Sequence, residues 1–454
     1  MKILILGAGQ VGRTAAQHLA REPANEVTLV DTNEAALREL QDRLDVRTVA
    51  GNASHPAILE AAGIIDTDIL VALTSSDEVN IVACEIAHAL YRTRTKIARI
   101  RAKEYTDRAE LFVDGAMAVD AWINPEQLVT DYIERLIHLP GAFQVVDFAD
   151  GKVRLVGLRA MRGGLLVGQQ LRTLKDHMPH ADARIAAIYR AGKAVPAVGD
   201  TVIEEGDEIF FIAARDHIQR MMSEIRRAEE PVRRVMIAGG GQVGFRLARQ
   251  LESRYQVKLI ERDAGRARRC SEQLESTIVL HGDAQDEELL IEENIDSTDV
   301  FVALTNSEEA NALSTMLAKR LGASKVMALV NRPSYSELMD PRHIDVVISP
   351  QTVTIGSLLA YVRRGEIVRV HSLRRGAAEA LETVVRGEPE GSRVIGRQVQ
   401  DIPLPEGATI SAIVRGDRVL IAHHDTLVER DDHVIVFLAD RRQVEAVGRV
   451  FQTD

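Results

Sequence analysis

Residues 7–12 read Gly-Ala-Gly-Gln-Val-Gly and residues 239–244 read Gly-Gly-Gly-Gln-Val-Gly, so one glycine pattern occurs twice in the 454-residue chain. A single G-x-G-x-x-G is a weak signal. Here each copy directly follows an apolar run, at residues 3–6 and 235–238, and each opens a helical pattern. Two such copies about half a chain apart predict two Rossmann units that arose by duplication.

The glycine spacing has a physical explanation. The first glycine permits the tight turn from strand to helix, the second lets the backbone approach a pyrophosphate, and the third lets the helix pack against the strand. The phosphates then lie at the helix N-terminus, where free N–H groups attract anions. In each half, a second strand ends in a carboxylate about 20 residues beyond the loop, Asp31 or Glu261. That carboxylate accepts hydrogen bonds from the adenosine ribose and repels a 2′-phosphate, which favours NAD over NADP.

Polar residues recur at matching places further along both halves. Asn52 matches Asp283 after the third strand, where a polar side chain would reach an adenine edge. Thr74-Ser75 matches Thr305-Asn306 at the end of the fourth strand, over the ligand crevice of a parallel sheet. The same residue types also cap helices by accepting hydrogen bonds from free N–H groups. Ligand contact and helix capping therefore both remain open for these residues.

The composition is that of a folded chain with several domains. Hydrophobic residues make up 46% and charged residues 27% of the chain, enough for several cores at this length. The formal net charge of −11 argues against an extended nucleic-acid surface, so no nucleic-acid partner is expected. No apolar run approaches the ~18 residues of a membrane span, and the first strand begins too early for a signal peptide. Cys84 and Cys270 lack metal-ligand spacing, so packing and a reducing, cytoplasmic compartment are expected.

A second repeated element follows each Rossmann unit. Asn124-Pro125 and Ser349-Pro350 each place proline at a first helical position, and an apolar face follows at helical spacing. We expect these crossover helices to mediate self-association, particularly through Ile133 and Leu136, because exposed apolar faces commonly mark interfaces. Short alternating strands then predict a compact module. The predicted fold class is α/β, with two tandem Rossmann-type doubly wound domains, each followed by a crossover helix and a small α+β module. The predicted boundaries are 1–124, 125–142 and 143–228, then 232–348, 349–366 and 367–454.

This order of elements resembles the TrkA family of Trk-system potassium uptake proteins, which are tandem RCK-domain regulatory subunits. The resemblance rests on both G-x-G-Q-V-G loops, the two carboxylates, and the segments 97–101 and 372–380. It implies a nucleotide-sensing subunit without enzymatic activity, peripheral on the cytoplasmic face of the cell inner membrane. It also implies a homo-oligomeric ring, a tetramer, that gates an integral-membrane Trk potassium channel subunit through ligand-dependent ring conformations.

The resemblance further implies that NAD or NADH binds, with ATP or ADP as competing ligands. The implied nucleotide contacts are Gly7, Ala8, Gly9, Gln10, Val11, Gly12, Asp31, Asn52, Thr74, Ser75 and Arg99, and, in the second half, Gly239, Gly240, Gly241, Gln242, Val243, Gly244, Glu261, Asp283, Thr305 and Asn306. One departure is expected: Ala328 stands where the first half has Arg99. Because only an arginine there can pair with a phosphate, we expect the first half to bind anionic ligands more tightly.

Two other functions remain open on the sequence alone. An NAD-dependent oxidoreductase would need a proton donor facing the nicotinamide. The histidine pairs His177 and His180, and His423 and His424, lie in polar turns without counterparts in the other half, which favours a surface role. A scaffold without bound nucleotide is the second alternative. A basic cluster fits either a solvated helix edge, which we favour, or a docking surface for the channel subunit or lipid headgroups. Its members are Arg363, Arg364, Arg369, Arg374 and Arg375.

Overall fold

The computed structural model describes residues 1–454 except 23, 114–115, 178–182, 228–229, 333–334, 336–338, 340–342, 363–366, 375–377 and 453–454. His180 and three members of the basic cluster, Arg363, Arg364 and Arg375, therefore lie outside the described residues, as does the side chain of Arg369. The described elements form four sheets, two parallel and two antiparallel, in the order expected for two tandem RCK units.

The first parallel sheet has the strand order β3-β2-β1-β4-β5-β6, in which the chain reverses direction across the sheet between β1 and β4. Its central strand β4 is buried at every position, as expected for a sheet covered by helices on both faces. This arrangement confirms the predicted doubly wound fold. Its elements are β1 (Lys2–Leu6), α1 (Gln10–Leu19), β2 (Glu26–Asp31), α2 (Glu34–Gln41), β3 (Arg47–Ala50), α3 (Pro56–Ala61), β4 (Ile69–Ala72), α4 (Asp77–Tyr91), β5 (Thr95–Arg99), α5 (Lys103–Thr106), β6 (Ala121–Ile123) and α6 (Pro125–His138).

The second parallel sheet repeats the first, with the order β14-β13-β12-β15-β16-β17. All five residues of β16 are buried. Its elements are β12 (Arg234–Ala238), α9 (Gln242–Leu251), β13 (Gln256–Glu261), α10 (Ala264–Gln273), β14 (Ile278–His281), α11 (Glu287–Glu292), β15 (Val300–Ala303), α12 (Glu308–Arg320), β16 (Lys325–Leu329), β17 (Val346–Ile348) and α13 (Pro350–Val362).

The two small modules contain antiparallel sheets with the orders β10-β9-β11-β8-β7 and β18-β19-β22-β20-β21. Apolar residues of both sheets, including Phe148, Phe210, Leu373 and Phe437, form one shared core. The first module contains β7 (Ala142–Phe148), β8 (Val153–Arg159), α7 (Leu174–His177), β9 (Ala183–Arg190), β10 (Lys193–Val195), β11 (Glu208–Ala214) and α8 (Ile218–Ile225). The second contains β18 (Ile367–Leu373), β19 (Ala378–Val384), β20 (Ala408–Arg415), β21 (Arg418–Ile421), β22 (His433–Leu438) and α14 (Val444–Phe451).

Each module contains the same buried ion pair, which we call the arginine–aspartate clip. In the first, Arg190 at the end of β9 donates from Nε and Nη2 to both oxygens of Asp207, at 2.8 and 2.9 Å. In the second, Arg415 makes the same two bonds to Asp432, both at 2.9 Å. Both aspartate side chains are completely buried, so each depends on its arginine for charge compensation.

The crossover helices pack on the half of the chain to which they do not belong in sequence. One compact unit consists of residues 1–129 and 350–363, and the other of 130–349 and 364–454. In the first unit, Ile355, Leu358 and Leu359 of α13 join the core of the first Rossmann sheet. In the second unit, Gln250 of α9 donates to Asp131 and Glu134 of α6. The halves therefore exchange their helices within a single chain.

This exchange corrects the expected reason for self-association. Ile133 and Leu136 of α6 are completely buried within the single chain. The C-terminal turn of α6 is also satisfied internally, because buried Lys325 donates to the carbonyl oxygen of Leu136 at 2.8 Å. Charged substitutions at Ile133 or Leu136 are therefore expected to disrupt folding of the chain. A loss of self-association in such variants would not show that these residues lie at an interface between chains.

Candidate nucleotide-binding sites

The first candidate site, the first crevice, lies at the carboxyl ends of β1, β2, β4 and β5. Gly7 turns the chain from β1 with a φ of +104°, a conformation that favours glycine. A Cβ on Gly12 would lie 1.9 Å from the carbonyl oxygen of Gly7, so α1 can approach the strand only because Gly12 has no side chain. A Cβ on Gly9 would meet no atom within 4 Å. The second glycine thus leaves open space beside the helix N-terminus, as pyrophosphate binding requires.

The second crevice repeats this geometry at the carboxyl ends of β12, β13, β15 and β16. Gly239 has a φ of +107°, and a Cβ on Gly244 would lie 1.9 Å from its carbonyl oxygen. A Cβ on Gly241 would again meet nothing within 4 Å. Gly9 and Gly241 have no side chain that could cap α1 and α9. The first N–H groups of each helix therefore stay available to a ligand in the crevice of the same half. The exposed Gln10 and Gln242 and the half-buried Val11 and Val243 follow on these helices.

The predicted ribose carboxylates organise the glycine loops. Asp31 accepts hydrogen bonds from the backbone N–H groups of Ala8, at 2.6 Å, and of Asn33, at 2.8 Å. Glu261 accepts the equivalent bonds from Gly240 and Asp263, both at 2.8 Å. Because each carboxylate bridges the loop and the end of the second strand, it would place the ribose and the pyrophosphate in a fixed relation.

The threonines at the strand ends use their hydroxyl groups within the protein. Thr74 donates from Oγ1 to the amide oxygen of Asn80 at 2.7 Å, and Asn80 donates to the carbonyl oxygen of Arg99 at 2.9 Å. Thr305 and Asn311 form the same bond at 2.6 Å. Ser75 and Asn306, the residues that follow, are exposed. The structure thus supplies internal partners for both threonines, and their contact with a ligand stays a prediction.

Asn80 and Asn311 are site-forming residues that were not predicted from the sequence. Both are completely buried. Asn80 joins the carboxyl ends of β4 and β5, since it bonds the backbones of Thr74 and Arg99. The signal that would have identified them is their recurrence at the same distance after the threonine in both halves. Asp77 and Glu308 are a similar pair, because each accepts two backbone N–H bonds from the loop after the next strand.

The structure corrects the expected equivalence of Arg99 and Ala328. Ala98 pairs with Ala72 in the first sheet, and Ala328 pairs with Ala303 in the second. In addition, Asn311 donates to the carbonyl oxygen of Leu329, the bond that Asn80 makes to Arg99. Leu329 therefore occupies the position of Arg99. The expected loss of a cationic side chain from the second crevice remains, because leucine cannot pair with a phosphate.

Arg99 connects the first crevice to a crossover helix. Its guanidinium donates from Nη2 to Glu126 on the first turn of α6 at 2.6 Å. The Arg99 side chain is 16% exposed and its Nε has no hydrogen-bond partner among the described residues. At the matching place after Ser349-Pro350, the second half has Gln351. The second half thus lacks both members of this ion pair.

The adenine-side residues differ between the crevices. Asn52 is exposed and accepts a hydrogen bond from the backbone N–H of Ser54 at 3.0 Å. Asp283 accepts the equivalent bond from Gln285 at 2.9 Å, and its second oxygen lies 3.9 Å from Nη1 of Arg262. The sequence identified these positions, but the arginine beside Asp283 was not anticipated.

The cysteines and histidines considered as candidate reactive groups are either packed in the protein or exposed at its surface. Burial raises the pKa of the Cys84 thiol to about 12, so it is protonated and packs as an apolar side chain. Cys270 is buried beneath Gly240. His177 lies 3.0 Å from buried Glu224, while His423 and His424 are exposed. Within the described ranges, no three His, Cys, Asp or Glu side chains are grouped as a metal site would require.

The interpretation of a solvated edge is wrong for Arg374. Its guanidinium stacks on the ring of Tyr189, with Cζ 4.1 Å from the ring centroid, and its Nε donates to Glu208 at 2.9 Å. Its side chain is only 23% exposed. Arg374 thus joins the two antiparallel sheets by a cation–π contact and an ion pair.

We expect Asp31→Ala to weaken NADH binding in the first crevice by about 1–3 kcal/mol, because ribose hydroxyls and the Ala8 N–H lose their acceptor. Isothermal titration would measure this in a chain whose second crevice is blocked by Gly241→Val. Asp66→Ala is the matched control, since Asp66 is 70% exposed and forms an ion pair with Lys2 at the opposite edge of the sheet. Equal NADH affinities of the two variants would contradict the assignment.

Two family models match the chain. The TrkA-N domain matches residues 3–125 and 235–350, and the TrkA-C domain matches residues 155–226 and 388–452. The Trk system potassium uptake protein TrkA of Halomonas elongata is 55% identical over 452 residues, covering 100% of this chain and 99% of that protein. The protein of the same name from Vibrio alginolyticus is 55% identical over 453 residues, with the same coverage.

Solved structures of low sequence identity share the fold. A structure described as the GsuK channel bound to NAD has a TM-score of 0.62 at 18% identity, covering 99% of this chain and 78% of that chain. The crystal structure of the GsuK RCK domain has a TM-score of 0.61 at 18% identity, covering 99% of this chain and 94% of that chain. In the part of the chain that the structure describes, no helix has the length and hydropathy that crossing a bilayer needs.

Proposed function

The chain belongs to the TrkA family of Trk-system potassium uptake proteins, and from this premise we propose that nucleotide bound in its first crevice regulates a membrane potassium channel subunit. The chain is a regulatory subunit of potassium uptake, as its resemblance indicated. NAD or NADH is the proposed ligand, with ATP or ADP competing for the same crevice. The support is the glycine loop, the open space at Gly9 and the Asp31 carboxylate.

The single observation that carries the regulatory proposal is the ion pair between Arg99 and Glu126. Arg99 lies at the carboxyl end of β5, the edge of a parallel sheet at which ligand phosphates bind. Glu126 lies on the first turn of α6, which runs from the first compact unit into the second. A phosphate that pairs with Arg99 competes with Glu126. Ligand binding therefore changes the restraint on the first turn of the crossover helix.

The two crevices are proposed to have different roles. With Leu329 and Gln351 in place of the ion pair, the second crevice lacks this connection to its crossover helix. We therefore assign most of the ligand-dependent switching to the first crevice. A ligand regulates only if it binds one conformation more tightly than another, because equal affinity for both shifts no population. Competition for Arg99 would supply such a difference.

The assembly proposed is a homotetrameric ring on the cytoplasmic face of the cell inner membrane, peripheral to an integral-membrane Trk channel subunit. Full-length relatives that are 55% identical are named as potassium uptake proteins, which supports this role over hydride transfer. The ring would pass the position of α6 to the channel as a change of shape.

The test separates binding from coupling. Arg99→Gln is expected to weaken NADH binding in the first crevice by about 1.5–3 kcal/mol, the usual contribution of a hydrogen bond to a charged group. Glu126→Gln removes the competing carboxylate charge, so it is expected to strengthen NADH binding while reducing the nucleotide response of potassium flux. Titration of the chain and flux into vesicles that contain the membrane subunit provide the two measurements.

Arg38→Gln and Glu34→Gln are the matched controls, since this ion pair lies on α2 with side chains 78% and 66% exposed. Neither change should affect NADH binding or flux. If Glu126→Gln leaves both NADH affinity and the flux response at wild-type values, the ion pair does not couple the crevice to the helix.

A further inference from the structure

The two crevices differ in charge around the adenosine ribose. Asn33 and Asp263 occupy equivalent positions, because each caps the helix after the carboxylate by accepting a hydrogen bond from an N–H three residues on. When the two halves of the chain are aligned at these caps, three arginines of the second half stand where the first half has uncharged or acidic residues. Arg262 replaces Thr32, Arg266 replaces Ala36, and Arg269 replaces Glu39.

Two of these arginines lie against the polar groups of the second crevice. Nη1 of Arg266 is 3.6 Å from Oε2 of Glu261, and Nη1 of Arg262 is 3.9 Å from Oδ2 of Asp283. Their side chains are 40% and 82% exposed, so both guanidinium groups remain accessible to a ligand. Glu261 is the predicted ribose acceptor and Asp283 the predicted adenine-side residue, so the two cations lie beside the predicted adenosine pocket.

The carboxylate that should repel a phosphate is itself compensated in the second crevice. Glu261 is buried, and its two oxygens already accept bonds from the Gly240 and Asp263 N–H groups, with Arg266 beside one of them. In the first crevice, no cationic side chain among the described residues forms an ion pair with Asp31. Arg13 donates from Nε to the carbonyl oxygen of Ala8 at 3.0 Å, but its charge pairs with Glu39 at 2.8 Å.

We propose that the second crevice binds nucleotides whose adenosine ribose carries a 2′-phosphate, as in NADP or NADPH, whereas the first crevice rejects them. The inference rests on the proposed function in one respect: the nucleotide binding proposed for the first crevice is taken to extend to the second, which has the same glycine loop. Arginine suits this role because its planar guanidinium donates two parallel hydrogen bonds to a phosphate. Asp263 and Asp283 oppose the phosphate, but Arg262 and Arg266 lie beside the same polar groups. The second site thus extends the ligand class of the chain beyond NAD.

The experiment measures each crevice separately in the full chain. Gly9→Val fills the first crevice and Gly241→Val fills the second, and neither side chain meets another atom of the protein near its Cβ. Isothermal titration compares AMP with 2′,5′-ADP, which differ only by the 2′-phosphate, and NADH with NADPH. In the Gly9→Val chain, 2′,5′-ADP should bind at least as tightly as AMP. In the Gly241→Val chain, only the first crevice is open. There 2′,5′-ADP should bind about tenfold or more weakly than AMP, since no cation compensates the charge of Asp31.

Arginine variants in the Gly9→Val chain locate the contact. Arg262→Ala and Arg266→Ala should each weaken 2′,5′-ADP binding about 10–100-fold, the range for one charge-assisted hydrogen bond, while AMP binding stays within about threefold. Arg268→Ala is the matched control, because Arg268 lies on the same helix, is 83% exposed and pairs with Glu272 at 2.9 Å. It should leave both affinities unchanged.

The outcomes distinguish the inference from the proposed function. If the Gly9→Val chain binds AMP or NADH but discriminates against the 2′-phosphate as strongly as the Gly241→Val chain, the inference is overturned and the proposed function stands. If the Gly9→Val chain binds no nucleotide, the second crevice is not a site and the inference fails. If the wild-type chain also binds none, the proposed function fails with it.

Discussion

Gly12→Ala is expected to unfold the first Rossmann domain or destabilise it by about 3 kcal/mol or more, the upper end of the usual cost of overpacking. The added Cβ would lie 1.9 Å from the carbonyl oxygen of Gly7, and this neighbour is backbone that cannot rotate away. To relieve the overlap, α1 must move from β1, and the apolar contacts of Ala15, Ala16 and Leu19 are lost with it. Gly244→Ala should have the same effect in the second half.

Gly9→Ala is the matched control, because the same methyl group three residues earlier meets no atom within 4 Å. Its cost should not exceed about 1 kcal/mol, the usual effect at a helix N-cap. Hydrogen exchange of the full chain would measure both variants, since a chain of several domains does not unfold in one step. Equal protection of β1 and α1 in the Gly12→Ala and Gly9→Ala chains would refute the argument.

Asp207→Asn is the second change with a large expected effect, because it breaks the arginine–aspartate clip of the first module. The carboxylate is completely buried and accepts two bonds from Arg190 and one from the Glu204 N–H at 2.9 Å. A guanidinium is protonated at any ordinary pH, so Arg190 remains charged after its partner is neutralised. Removing one member of a buried pair costs about 3–5 kcal/mol, and the lower value is expected here because Arg190 is one-third exposed.

Asp432→Asn should destabilise the second module similarly, since Arg415 and Asp432 form the same bonds. Glu204→Gln is the control, because Glu204 also contacts Arg190 but is 57% exposed, and exposed pairs contribute at most about 1 kcal/mol. Hydrogen exchange of β9 and β11 would separate the two cases. A loss of protection no larger in Asp207→Asn than in Glu204→Gln would show that the clip is dispensable.

The glycine loops and strand-end carboxylates predicted the two Rossmann domains because their spacing reflects local backbone geometry. The prediction that Ala328 is equivalent to Arg99 was wrong by one residue, and the reason is physical. Nineteen positions separate Asn80 from Arg99, whereas 18 separate Asn311 from Leu329. A one-residue difference between a helix and the next strand leaves no trace in the motifs on either side, but it moves every side chain of the strand.

Contacts between distant parts of the chain were not predictable from pattern. The apolar spacing of α13 indicated a buried face, but it gave no sign that Leu358 packs on the first Rossmann sheet. The Glu126 partner of Arg99 and the Tyr189 partner of Arg374 were equally hidden. In each case the residue type was visible, while its neighbour depends on how separate elements meet in the folded chain.

The exchanged crossover helices also bear on how this architecture arose and on whether its two halves stay paired when the protein concentration is low. A single-copy ancestor with the same packing would have had to trade its helices between two separate polypeptides, as domain-swapped dimers do. Covalent fusion makes the exchange of helices intramolecular. The effective concentration of one half relative to the other is then set by the linker and not by the abundance of the protein. The pairing of the two halves therefore persists at low expression, and the halves are free to diverge, because each is always presented with the same partner.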